Sequence, residues 1–400
     1  KTGKDSMSIA DRWLLPDGVE ETLPAQAACL EGLRRELLDL YRSWGYDLVI
    51  PPLVEYLESL LIGAGNDLAL QTFKLTDQST GRLMGVRADM TPQVARIDAH
   101  TLNREGPTRL CYAGDVLHTK PTSLTASRSA MQVGVELFGH DGVASDIEVI
   151  LLMLDTLTLT GCEKIHLDLG HVAIYRTLAE MAGLDDGQEM ALFDIYQRKS
   201  VPELAEFLDA NLADSPLKNK FITLSELSGG DDVLAKAKAE LAPVSEDLAQ
   251  AIDDLMIIAA AIREQRPEVA LYFDLGELRG YHYHTGPVFS AYLPTVGHSI
   301  ASGGRYDHIG EVFGRARAAT GFSTDLASLI KIKQQAPSVS APLVFAPADG
   351  DAALQREVAH LRKQGVRVVA GLPGQTVTAD EIGCTQQLKL QDGRWVICGL

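Results

Sequence analysis

One long stretch, residues 172–267, carries alanine, leucine and charge in helical rhythm, while the segments on both sides of it read as strands. Its last helix is the best marked. Ser245 caps it, Glu246 and Asp247 sit at its positive end, and Leu248, Ile252, Leu255, Ala259 and Ile262 step along one face before Pro267 closes it. Strand signals precede the stretch at 164–170 and return at 269–275, 286–293 and 298–302. Any sheet here must therefore be assembled from segments far apart in the chain, with the helical stretch inserted between them. That pattern predicts an α+β architecture, a sheet flanked by helices with a helical insertion over about 172–267.

The remaining punctuation divides the chain further. Residues 1–6 precede Met7 and read as an appended remnant. Pro24 opens a helix whose apolar positions Leu30, Leu33, Leu37, Leu40 and Trp44 share one face. Gly45 ends it, and residues 46–50 read as a strand running into Pro51-Pro52. A second helix is expected to start at Ser145, with Glu148 three residues on as a capping box, and to end at Gly161. Residues 331–342 are polar and proline-punctuated, a linker between a core at 7–330 and a small C-terminal α/β domain at 343–400. In that domain a strand at 343–346, a helix at 351–363 and a strand at 366–370 form a βαβ-like unit. Asp392-Gly393 then turns a hairpin between 388–390 and 395–397.

Composition excludes several classes. The formal charge of −18 has the wrong sign for a chain that lives on phosphate backbones. Cys29, Cys111, Cys162, Cys384 and Cys398 are scattered and never spaced as C-x-x-C, which points to reduced thiols in a cytoplasmic protein and away from a zinc site. No apolar run approaches the ~18 residues of a membrane span. The phosphate-loop, H-E-x-x-H and G-x-S-x-G signatures are missing, and Gly63-Ala64-Gly65 starts a dinucleotide fingerprint that Leu68 breaks. Neither a metal nor a cofactor is expected.

Four segments carry the functional reading. The first is Gly45-Tyr46 through Pro51-Pro52 to Glu55, and the second is Arg87-Ala88-Asp89-Met90-Thr91-Pro92. The third runs from Arg109 to Gly139, with Gln132, Gly134, Val135 and Glu136 near its end. The fourth pairs Leu278-Arg279-Gly280-Tyr281-His282-Tyr283-His284-Thr285-Gly286 with Gly303-Gly304-Arg305-Tyr306-Asp307. Histidine presents an ammonium, a carboxylate and an imidazole, so a site for it needs acceptors, a cation and groups that grip a ring. Asp89 and Glu136 are acceptors, Thr91 and Gln132 add neutral hydrogen bonds, Arg279 can face a carboxylate, and Tyr281, Tyr283 and Tyr306 can line a ring. Together these segments resemble histidyl-tRNA synthetase, a class II aminoacyl-tRNA synthetase, over about residues 7–330. The resemblance implies an antiparallel sheet flanked by helices, a self-dimer formed through the first segment, and histidine held at Asp89, Thr91, Gln132, Glu136, Arg279 and Tyr306.

The departures from that family are as informative. Its F-R-x-E core becomes Leu117-His118-Thr119-Lys120, so the arginine that grips the ATP α-phosphate is His118 and the adenine-positioning acid is Lys120. Its third motif becomes Gly321-Phe322-Ser323-Thr324-Asp325-Leu326-Ala327-Ser328, with Asp325 at a glycine and Ser328 at a second arginine. Losing one charge clamp from phosphate chemistry costs ~10² to 10³ in rate, and lysine lacks arginine's fork. Residues 343–400 are also short for an anticodon-binding domain, which needs roughly a hundred residues. A histidine pocket without these parts resembles the regulatory subunits of ATP phosphoribosyltransferase. That implies no catalysis by this chain and a hetero-octamer of four copies with four short-form catalytic subunits. It also implies activation of the first step of histidine biosynthesis, feedback by histidine, and neither tRNA nor membrane as partner. The alternatives are a divergent histidyl-tRNA synthetase and an interaction protein with an empty, vestigial pocket. Phosphoribosyl transfer by this chain itself is disfavoured, because no acidic pyrophosphate loop is found.

Overall fold

The computed structural model describes residues 14–61, 66–121, 127–333 and 342–400. The expectations for residues 1–6, for Gly63-Ala64-Gly65 and for 334–341 of the linker lie outside them. The chain forms two compact units, Lys1–Lys333 and Gln334–Leu400.

A nine-stranded sheet organises the first unit. Its strands run in the order Asp47–Leu48, Thr108–Leu117, Ser129–Phe138, Ala319–Asp325, Ala301–Arg305, Pro287–Tyr292, His166–His171, Ala270–Asp274 and Ser228–Gly229. Neighbours are antiparallel except at Asp47–Leu48 with Thr108–Leu117 and at His166–His171 with Ala270–Asp274. Alternation sends Val133, Val135 and Leu137 to one face, where they are buried in the main core. Helices Val143–Leu159 and Glu246–Gln265 supply that core from above: Val149, Ile150, Leu152 and Leu154 join Leu248, Ile252, Leu255, Ala259 and Ile262 there. The opposite face carries Gln132, Gly134 and Glu136 and forms the floor of the site.

Ser245 caps its helix as the sequence indicates, its hydroxyl accepting from the Leu248 amide at 3.2 Å. The insertion is six helices, but Ser228–Gly229 within it pairs with Phe273 and Asp274 and so supplies an edge of the sheet. The helix expected at Ser145 begins at Val143, with Gly142 as its cap and no side-chain cap bond. The hydroxyl of Ser145 is drawn off to the Gly142 carbonyl at 2.7 Å and to Arg305 at 2.8 Å. Glu148 turns away from the helix terminus to meet Arg109 at 2.7 Å and the Tyr46 hydroxyl at 3.0 Å. A charged partner outweighs a local cap here.

Two strands are also displaced. Of residues 46–50 only Asp47–Leu48 pairs, because Pro51 and Pro52 remove donors from the ladder and Ile50 is left exposed. The strand expected at 298–302 lies at Ala301–Arg305 instead. The expected strand stops at Ser302, just before Gly303-Gly304, which belong to the observed one. In the sheet, a Cβ on Gly303 would come within 2.6 Å of the Phe289 ring, so close packing demands the glycine. Helix Leu326–Lys333 continues three residues past the expected core boundary at 330.

The second unit pairs Leu343–Ala346 with Arg367–Ala370 in parallel, joined through helix Ala352–Lys363, which Asp351 caps. Gln386–Gln391 and Arg394–Gly399 complete its sheet as a hairpin. Asp392 and Gly393 both take positive φ, +48° and +76°, as a two-residue turn of this kind requires. All five cysteines are free. Among the described residues no helix is long and apolar enough to cross a membrane.

Candidate functional site

The polar face of the large sheet is hollowed by its own side-chain sizes. Glu136 stands opposite Gly321, which stands opposite Gly304. A methyl group on Gly321 would overlap the Glu136 carboxylate, so the glycine is what allows that side chain to lie across the strand. Two residues along, a row of small polar groups crosses the same face: Ser323, Ser302, Ser290 and Asp168 face one another in register. The result is a cavity of about 210 Å³.

Its proximal wall starts at the turn before helix Thr91–Arg96. Arg87 is buried and donates to the Asp115 carbonyl at 2.7 Å and to the Pro51 carbonyl at 2.6 Å, tying this turn to two neighbouring segments. Asp89 is then pinned by the Thr91 amide at 3.0 Å and by the Gln132 amide group at 2.8 Å. The Gln132 oxygen accepts from the Met90 amide at 2.8 Å, which sets the orientation of its head group. Gln132 therefore stands behind Asp89 and does not line the cavity. The hydroxyl of Thr91 lies 3.2 Å from that of Tyr112.

Glu136 is the deepest charge-bearing group, 1% exposed. Its Oε1 accepts from the Tyr112 hydroxyl at 3.0 Å and its Oε2 from the Tyr306 hydroxyl. Burial dominates these bonds and, with repulsion from Asp89, pushes the carboxyl up to about 8. Tyr283 stacks on Tyr306 at 4.9 Å between ring centres. Tyr283 Oη and His284 Nδ1 are both buried and without a hydrogen-bond partner among the described residues. A buried polar atom left alone is costly, and the unmade bond is a measure of what an occupant would satisfy. Burial lowers His284 to about 4 and so keeps the imidazole neutral.

Arg279 lies at the distal end, donating to the Tyr292 hydroxyl at 3.0 Å and facing Glu277 at 3.5 Å. The lining there also includes Asp168, Asp274, Ser290, Tyr292 and Ser302. Burial, with repulsion from Asp274, pushes the Asp168 carboxyl up to about 6. Among the described residues no cluster of three or more His, Cys, Asp or Glu side chains is placed to hold a metal ion.

Of the residues singled out from sequence, Asp89, Thr91, Glu136, Arg279, Tyr283 and Tyr306 come together on this lining. Tyr281 does not. It turns into the helical insertion, donates to Glu189 at 2.6 Å, and packs edge-on to Tyr175 at 5.3 Å. The tight turn at Gly280 (φ +68°) sends Tyr281 and Tyr283 to different sides. The groups missed in sequence were Tyr112, Asp168, Asp274, Glu277, His284, Ser290, Tyr292 and Ser302. Strand alternation placed Ser290 and Tyr292 on one face, but which strand lies beside which was not readable.

His118, Lys120 and Ser328 all lie off the cavity lining. The His118 ring is held 2.8 Å from the Ala88 carbonyl, and Lys120 is exposed. The hydroxyl of Ser328 donates to Asp325 at 2.7 Å, and Asp325 also accepts from the Ala327 and Ser328 amides. Asp325 thus serves as the cap of helix Leu326–Lys333, at a position the family pattern gives to glycine.

The family pattern described as Histidyl-tRNA synthetase matches residues 18–329, and that of the ATP phosphoribosyltransferase subunit HisZ C-terminal domain matches residues 341–398. A protein of Thioalkalivibrio sulfidiphilus named ATP phosphoribosyltransferase regulatory subunit is 57% identical over 383 residues, 96% of this chain and 97% of its own length. One of the same name from Pseudomonas aeruginosa is 54% identical over 395 residues, 98% of this chain and all of its own. Among solved structures, an ATP phosphoribosyltransferase regulatory subunit/histidyl-tRNA synthetase from Bacillus halodurans aligns with TM-score 0.80 at 26% identity, covering 92% of this chain and 95% of that one. Histidyl-tRNA synthetase from Nostoc sp. PCC 7120 shares the fold, with TM-score 0.76 at 20% identity over 97% of each chain.

Proposed function

We propose, from the premise that this chain belongs to the family of ATP phosphoribosyltransferase regulatory subunits, that its synthetase-like cavity is the histidine sensor of a complex whose chemistry is done elsewhere. In this reading the chain activates a short-form ATP phosphoribosyltransferase catalytic subunit, in a hetero-octamer of four copies of each, and carries histidine feedback to it. Asp89 and Thr91, with Gln132 behind them, receive the ammonium. Glu136, Tyr306 and Tyr283 surround the ring, and Arg279 faces the carboxylate.

One observation carries this reading. The acceptors, the guanidinium and two unsatisfied buried polar atoms converge on a single cavity, whereas His118, Lys120 and Ser328 offer that cavity no cation. This lining supports an amino acid as its occupant in preference to a triphosphate. Histidine can regulate the complex only by binding one of its conformations more tightly than another, so each tenfold preference supplies about 1.4 kcal/mol of shift.

The test mixes the full chain with a short-form catalytic subunit and measures phosphoribosyl transfer with and without histidine. Stimulation by the chain and inhibition by histidine are expected, with inhibition lost and stimulation kept in Asp89→Ala. Unchanged feedback in Asp89→Ala and Glu136→Ala would sink the pocket assignment and leave a vestigial site.

A further inference from the structure

Arg305 ends strand Ala301–Arg305 immediately before Tyr306, yet it is not part of the cavity lining. Its guanidinium reaches instead to the first turn of helix Val143–Leu159. Nε lies 3.1 Å and Nη2 2.8 Å from Asp146 Oδ2, and Nη2 also donates to Ser145 Oγ at 2.8 Å. Nη1 donates to the His140 carbonyl at 3.2 Å. The ion pair is nearly dry, its side chains 7% and 1% exposed.

The same residue grips the loop that delivers Tyr283. Its carbonyl accepts from the Thr285 amide at 2.7 Å. Its Nη1 meets Asp307 Oδ1 at 3.3 Å, while Asp307 Oδ2 accepts from the Thr285 hydroxyl at 3.0 Å. Gly286 lies flat on the arginine stem, since a Cβ there would come within 2.9 Å of its Cδ. Tyr306 follows this residue in the chain, and the Tyr283 loop is tied to it through its carbonyl and, by way of Asp307, through its guanidinium; Arg176 Nη2 separately holds that loop at the Tyr281 and His284 carbonyls, at 2.9 and 3.0 Å.

We infer that Arg305, held by Asp146, is a positioning residue for the pocket, fixing Tyr283 and Tyr306 from outside it. The inference rests on the reading of the cavity as the histidine site. Ligand groups must be held to within about 0.5 Å to bind well, and here the second layer is a helix turn over a hundred residues away in sequence. Arginine's fork is required, because lysine cannot reach Asp146, Ser145 and a carbonyl together.

Calorimetric titration of the full chain with histidine tests this. Arg317 with Asp98 provides a matched control: also 7% and 1% exposed, paired at 3.0 Å, and absent from the cavity lining. Arg305→Lys is expected to weaken histidine by about tenfold or more, whereas Arg317→Lys lowers the unfolding temperature and leaves affinity as it was. Thr285→Val removes the two hydroxyl links to Asp307, to its carboxylate at 3.0 Å and from its amide at 3.1 Å, and keeps the question answerable where Arg305→Lys does not fold. Weaker histidine binding at a near-normal unfolding temperature is expected of it. Wild-type affinity in both Arg305→Lys and Thr285→Val, or an equal loss in Arg317→Lys, overturns the inference. Absence of binding to the wild-type chain overturns the site reading first and this one with it.

Discussion

Replacing Glu136 by glutamine should change the pH dependence of stability more than its size. The carboxyl is buried beneath Tyr112, Tyr283 and Tyr306 and beside Asp89, with no cation among the groups that bear on it, and it is pushed up to about 8 from an ordinary value of 4.5. Between those values the folded chain holds a proton that the unfolded chain releases, so the contribution of this group is fully present below 4.5 and is lost as pH rises through about 8. The slope is about 1.4 kcal/mol per pH unit, and the whole interval amounts to roughly 5 kcal/mol. Glutamine is neutral throughout and keeps an acceptor for one tyrosine while offering the other a donor. Urea unfolding followed by tryptophan fluorescence, in both proteins, should therefore show Glu136→Gln gaining about 3 kcal/mol relative to wild type between about pH 5.5 and 7.5. Parallel stability curves would refute the reasoning, because they would mean that Glu136 is ionised in the folded chain although the donors bearing on it are neutral hydroxyls.

Tyr281→Phe should cost about 1 kcal/mol of stability through the lost bond to Glu189 and leave histidine affinity unchanged, whereas Tyr283→Phe should weaken histidine. Calorimetry and thermal unfolding on the two variants check this together. Gly321→Ala should displace Glu136 and destabilise the chain by about 1–3 kcal/mol, read as a lower urea midpoint accompanied by lost histidine binding. Ser245→Ala should remove the cap of helix Glu246–Gln265, at about 1 kcal/mol, with no effect on the pocket. Histidine-dependent pyrophosphate exchange should be absent, since His118 and Ser328 stand where phosphate clamps are needed; measurable exchange would revive the synthetase alternative.

Much of this was legible in the chain. The Ser245 cap, the stripe from Leu248 to Ile262 and the Asp392-Gly393 turn depend on neighbours within a few residues, so local rules suffice. The same rules misplace the start of helix Val143–Leu159, because Ser145 and Glu148 find partners in Arg305 and Arg109 that no local window contains. They also end a strand at Ser302, whereas it runs on through Gly303-Gly304, where the neighbouring Phe289 ring and the strand at Gly321 require glycine.

The site divides along the same line. Which residues are present is a matter of sequence: two acids, a glutamine and a threonine in place, an arginine at 279, and none at 118 or 328. Which of them meet is not. The pairing of Pro287–Tyr292 with Ala301–Arg305 on one side and with His166–His171 on the other aligns Asp168, Ser290 and Ser302 into one wall. The first two are separated from His166–His171 by the whole helical insertion, so no local window shows which strand lies beside which. Tyr281 and Tyr283, two residues apart and alike on paper, part at the turn beginning at Gly280 (φ +68°), Tyr281 packing on Tyr175 of the insertion and Tyr283 on Tyr306 of the sheet. Local periodicity and residue chemistry were therefore the sequence's own contribution. Adjacency, burial and the resulting charge state of Glu136 came only with the tertiary structure, because each depends on atoms brought from elsewhere in the chain.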